Sequence, residues 1–146
     1  MGSEQVFSGA VIRAQVPGTS RPEVLLEEPE GAEASVIWGL LEDSGYKVSW
    51  CPGPKGPPPS WCPLLSGHRC SLVESADVVV SALGFHDSSC RQVLEELGRL
   101  HPEAAVIVQT PPSEAVQWEP LLEGHLMLPM PLSARALLED VEAALS

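Results

Sequence analysis

Ala76-Asp77-Val78-Val79-Val80-Ser81-Ala82-Leu83 decides how the rest of the chain is read. Three consecutive valines suit a strand at the centre of a sheet, because β-branched side chains pack well on a pleated surface. An apolar run without alternation also fits a strand covered on both faces, as in a parallel sheet. The flanking segments agree. Upstream, Val24-Leu25-Leu26 is a second short apolar run, interrupted by Glu27-Glu28-Pro29-Glu30-Gly31. Residues 33–43 read as a helix with Val36, Ile37, Leu40 and Leu41 on one face, and Gly45 is a natural stop. Tyr46-Lys47-Val48-Ser49-Trp50 alternates as a strand does.

Downstream, Asp87, Ser88 or Ser89 can cap a helix whose buried stripe is Val93, Leu94, Leu97 and Leu100. Residues 104–108 form another buried strand, ending at Gln109-Thr110. A short helix over 113–122 is distorted or ended by Pro120. His125 to Leu128 gives the last strand, before Pro129-Met130-Pro131, and Ser133 caps a final helix carrying Leu137, Leu138, Val141 and Leu145. Strands alternating with helices predict a three-layer α/β fold. With right-handed crossovers, the expectation is a flavodoxin-like, five-stranded parallel sheet of order 2-1-3-4-5. The domain spans residues 22–146, with a Cys/Pro-rich loop at 51–75, and residues 1–21 form an N-terminal arm.

A chain of 146 residues suits one core, and 44% hydrophobic residues argue against wholesale disorder. The formal charge is −12, from 20 acidic and 8 basic residues. Nucleic-acid binding relies on Lys and Arg to neutralise phosphates, so it is not expected here. An anionic membrane surface would repel the chain. No apolar run reaches the roughly 20 residues needed to span a bilayer. Met1-Gly2-Ser3-Glu4-Gln5 lacks the basic and apolar regions of a secretory signal, so the expectation is a cytoplasmic protein.

The element order and several positions over about residues 22–146 resemble the receiver domain of two-component response regulators. The matching stretches are Val24-Leu25-Leu26-Glu27-Glu28-Pro29, Leu40-Leu41-Glu42-Asp43-Ser44-Gly45-Tyr46-Lys47-Val48, Asp77-Val78-Val79-Val80-Ser81-Ala82, Val106-Ile107-Val108-Gln109-Thr110 and Leu128-Pro129-Met130-Pro131-Leu132. The resemblance implies that Glu27 and Glu28 stand at the family's Mg²⁺-holding acidic pair. Thr110 falls at its switch hydroxyl, and the bond before Pro131 is expected to be cis. Two positions depart from the family. Ala82 stands where the resemblance places the phosphoacceptor aspartate, and Met130 where it places a lysine. Phosphoryl transfer needs a carboxylate nucleophile, a metal and a cation, and neither a methyl group nor a thioether supplies one. The resemblance therefore implies a degenerate pseudo-receiver with no enzymatic activity. It would act by docking to a protein partner, or to itself, through residues 113–145.

The segment between the second and third strands departs furthest. Cys51, Cys62 and Cys70 lie there among Pro52, Pro54, Pro57, Pro58, Pro59 and Pro63, so a regular helix across 51–70 is not expected. Cys90 follows in the next helix, near the same sheet edge. The spacings are not CxxC, so the zinc-ribbon pattern is absent. Three readings stay open. The cysteines hold zinc or an Fe–S cluster, with His68 as a further candidate ligand; Cys62 and Cys70 form a redox-sensitive disulfide; or the thiols are reduced and packed. There is no GxGxxG, GxxxxGK[ST] or GxSxG motif. His86 has no acid or nucleophile beside it in sequence. Trp38, Trp50, Trp61 and Trp118 read as packing anchors.

Overall fold

The valine run forms the middle of the sheet. In a computed structural model of the chain, which describes residues 21–54 and 62–146, the strands are Glu23–Glu27 (β1), Lys47–Cys51 (β2), Val78–Ser81 (β3), Val106–Thr110 (β4) and Leu126–Pro129 (β5). The helices are Ala32–Asp43 (α1), Ser71–Ser75 (α2), Ser88–Leu100 (α3), Pro112–Gln117 (α4), Glu119–Leu122 (α5) and Ala134–Leu145 (α6), and Pro63–Ser66 makes a 3₁₀ turn. All neighbouring strands pair in parallel, in the order β2-β1-β3-β4-β5. This is the expected flavodoxin-like topology.

Alternation along the strands divides the core into two layers. Val24, Leu26, Val78, Val80, Ile107 and Leu128 meet Ala34, Ile37 and Leu41 of α1 and Leu137 and Val141 of α6. Leu25, Val79, Val106 and Val108 face the other way, toward Val73 of α2, Val93, Leu94 and Leu97 of α3, and Leu122 of α5. Two caps were legible in advance. Asp87 accepts from the Ser89 backbone N–H at 2.8 Å, and Ser133 Oγ accepts from the Ala136 N–H at 3.2 Å.

Four local expectations are corrected. Val36 does not join the buried stripe of α1 and is 52% exposed. At 100° per residue it lies on the far side from Ala34, Ile37 and Leu41. The segment before β3 is not all loop, because the prolines stop at Pro63 and leave room for the 3₁₀ turn and for α2. The helix over 113–122 is two helices broken at Trp118, with Pro120 near the start of the second, where its missing N–H costs nothing. Trp118 packs half-buried against the core, as expected of an anchor, but Trp38 is half-buried outside both core layers and Trp50 is exposed. Trp61 and the arm over residues 1–20 lie outside the described residues. The Met130–Pro131 bond is cis. Among the described residues no helix is long and apolar enough to cross a membrane.

Candidate functional site

Parallel strands bring their carboxyl ends to one edge, where open α/β sheets bind ligands. Glu27 ends β1 and is in register with Cys51 on one side and Ser81 on the other. Ala82 follows β3 directly, and its N–H donates to the Glu27 carbonyl at 2.7 Å. Glu28 donates its own N–H to the Cys51 carbonyl at 3.0 Å. Thr110 ends β4, is buried, and donates its hydroxyl to the Pro111 carbonyl at 3.4 Å. Met130 follows β5, half out in solvent. The five positions singled out from sequence, Glu27, Glu28, Ala82, Thr110 and Met130, therefore line the same edge.

Among the described residues the edge is short of positive charge. Both Glu27 and Glu28 are buried, and one carboxyl oxygen of each lacks a hydrogen-bond partner. Removal from water pushes the Glu27 pKa up to about 7, partly offset by a hydrogen bond with Ser81. Burial, with the Glu33 carboxyl beside it, pushes Glu28 up to about 8. Basic side chains are committed elsewhere: Lys47 to Glu23, Arg69 to Glu74 and Glu103, Arg99 to Glu96 and Arg135 to Glu139. Arg91 lies 4.6 Å from the centroid of the Trp118 ring. The orphaned oxygens of Glu27 and Glu28 would suit a cation, but two carboxylates are a weak site for Mg²⁺. Among the described residues no group of three or more His, Cys, Asp and Glu side chains is placed to hold a metal ion. The donor set does not fit a resident metal.

The cysteine loop is laid against this edge. Gly53 adopts φ +89°, and a Cβ there would come within 2.6 Å of the Leu83 side chain, just past Ala82. Only glycine allows both the backbone conformation and the close approach. The Gly53 N–H points at Cys51 Sγ, 3.4 Å away. Cys51, Cys62 and Cys70 share one apolar cluster, whereas Cys90, buried on α3, is not part of it. All four are free thiols. Burial, with the neighbouring Glu27 charge, raises the Cys51 and Cys62 pKa values. Thiols held in the protonated form are poor nucleophiles.

Two anchoring residues gave no sequence signal. His101 is buried, and its Nε2 accepts the Cys70 backbone N–H at 2.9 Å. That assigns the ring proton to Nδ1, which faces Glu103 at 3.4 Å. Arg69 donates to Glu74 at 2.6 Å, to Glu103 at 3.0 Å and to the Leu100 carbonyl at the carboxyl end of α3. His86 also differs from expectation, because Glu114 of α4 lies 3.4 Å away. It remains almost wholly exposed, so the contact is a surface one. A hollow of about 970 Å³ lies between α3 and α5, with Arg91 and Trp118 in its wall.

No protein-family model matches the sequence, and no curated protein matches it. Solved structures do match in fold. A response regulator receiver domain protein from Clostridium thermocellum is 21% identical with a TM-score of 0.67, over 85% of this chain and 94% of that one. The N-terminal signal receiver domain of a two-component response regulator from Bacteroides fragilis is 20% identical with a TM-score of 0.66, over 87% and 98%. The receiver domain of a sensor histidine kinase from Pseudomonas aeruginosa, which holds magnesium in its active-site cleft, is 16% identical with a TM-score of 0.64, over 86% and 98%. This chain has the receiver fold.

Proposed function

We propose that this chain is a pseudo-receiver, a non-enzymatic cytoplasmic signalling module that works by docking to a protein partner without the usual aspartyl phosphorylation. The observation that carries the reading is Ala82. It occupies the tip of the central strand, bonded through its N–H to Glu27, where the receiver resemblance places the phosphoacceptor. A methyl group cannot attack phosphorus. Met130 adds no cation to offset charge in a transferring phosphoryl group.

A docking role suits the segment over residues 113–145. It carries four of the seven exposed large apolar side chains among the described residues: Val116 at 80%, Met130 at 38%, Leu126 at 37% and Leu145 at 36%. Exposed apolar groups close in sequence favour a protein partner, a second copy included. The formal charge of −12 favours neither nucleic acid nor an anionic membrane. Nothing on the sheet edge favours the zinc, Fe–S or redox-sensing alternative. Incubation with acetyl phosphate and Mg²⁺, followed by intact mass spectrometry, tests the reading. The expected spectrum shows no phosphoryl adduct. A stoichiometric, hydroxylamine-labile adduct on any carboxylate overturns it.

A further inference from the structure

Two tryptophans lie outside both core layers and share one cleft. Trp38, from the middle of α1, and Trp50, from the outer strand β2, line one surface cleft of about 290 Å³ with Glu30, Gly31, Ala34 and Ser35. The cleft lies on the β2 side of the sheet, across it from β5. Large aromatic side chains at a surface are unusual unless something covers them. Trp50 is also held in place: its indole N–H donates to the Glu28 carbonyl at 2.8 Å, which fixes the ring beside the cleft. The indole's one donor is used up, so the ring offers the cleft apolar surface and its π-face.

Charge selects the occupant. Glu30 stands in the wall, and Glu33 lies in the first turn of α1. The only described cation of β2, Lys47, is at the strand's opposite end and pairs with Glu23 at 3.9 Å. The amino end of α1 is a local positive feature, equivalent to roughly half an elementary charge. The two carboxylates outweigh it. An aromatic pair beside a carboxylate, on a chain of charge −12, attracts a cation. Between the two cationic side chains, a planar, weakly hydrated guanidinium stacks on indole better than an ammonium does.

We propose that the Trp38–Trp50–Glu30 cleft binds an arginine side chain presented by a protein partner. The guanidinium packs against the indoles and pairs with the Glu30 carboxylate. This inference is independent of the chemistry at Ala82 and would stand even if the chain accepted phosphate.

Titration of the full chain with a hexa-arginine peptide tests it, followed through the indole N–H resonances. The Trp38 and Trp50 resonances are expected to shift, and that of Trp118 to stay. Trp50→Leu keeps the charge and removes the π-face, and should weaken binding about tenfold. Glu30→Gln should weaken it about threefold, and hexa-lysine should bind more weakly than hexa-arginine. Circular dichroism confirms that each variant is folded. Unchanged affinity in Trp50→Leu, or shifts confined to other indoles, would mean that bulk charge alone attracts the peptide, and the proposal falls. If Trp50→Leu does not fold, Trp38→Leu with the same readout decides.

Discussion

The two faces of the sheet are built on different terms. On one, two 12-residue helices, α1 and α6, press Ile37, Leu41, Leu137 and Val141 onto aliphatic strand residues, and alternation along β4 places the buried Gln109 with them. The other face is covered by one long helix, α3, and by shorter pieces, and its apolar layer includes Cys51, Cys62, Cys70 and Trp118. Alternation along β1 puts Glu27 on this second face with Leu25, and its charge reaches Cys51 and Cys62. His101 and Arg69 hold the loop of this face in place. The first face is stabilised mainly by aliphatic packing. The second depends on polar groups that each need a partner, and it is where the candidate edge and the loop lie.

The largest expected effect tests the aliphatic face. Ile37 is fully buried between α1 and the sheet. Ile37→Ala removes three methyl or methylene carbons and leaves a hole, and should cost about 3–4 kcal/mol. Because Ile37 packs into one shared aliphatic layer, the loss should be global. Hydrogen exchange should accelerate alike in α1, α6 and the central strands. If only α1 loosens, the face is less cooperative than its packing implies.

Next comes Glu27, the least comfortable group of the second face. Its pKa is raised to about 7. A carboxyl raised on folding binds more protons in the native state than in the unfolded one. Stability is therefore greatest at low pH and falls as pH rises from the unfolded value through the folded one. Between about pH 4.5 and 7 this one group should remove about 3 kcal/mol. Glu27→Gln should abolish that part of the slope, leaving the share due to Glu28, and should stabilise the chain at pH 8. Urea titrations at pH 5 and pH 8 measure the difference. A variant with the same pH slope as the parent would place the titration elsewhere.

How far sequence reading reached follows the same division. The aliphatic face was legible because helical and strand periods alone dictate it. Ile37 and Leu41 in α1, and Leu137 and Val141 in α6, fall where the pattern puts them. Val36 was misjudged because four apolar residues in a short window define a broad arc, and only the packed sheet selects its centre. On the other face, Glu27, Glu28, Ala82, Thr110 and Met130 were found through resemblance, not through periodicity. Position in the sheet gathers them, and no local pattern predicts it. The partners of Cys70 were not legible at all. His101 is 31 residues further on, and nothing in its own segment distinguishes a structural histidine from a surface one. Trp38 and Trp50 were misread for the opposite reason. Apolar size implies burial on average, but the edge strand β2 has no further strand beside it to cover Trp50, and Trp38 lies off the buried face of α1.

His101 gives the smallest of these effects and the sharpest one. Its imidazole is the acceptor for the Cys70 N–H, at the start of α2. His101→Ala leaves that buried donor unpaired and should cost about 2 kcal/mol. Because α2 is only five residues long, it cannot hold itself together once its first turn is released. The loss should therefore be local. Exchange protection should fall over residues 71–75 and rise nowhere, while β1, β3 and α1 keep theirs. The contrast with Ile37→Ala is then in kind as well as in size. A packing defect spreads through the face that aliphatic packing dominates, and a lost acceptor stays with the short helix it held. If His101→Ala instead loosened the central strands, the two faces would be one cooperative unit, and the clasp at Cys70 would belong to the core.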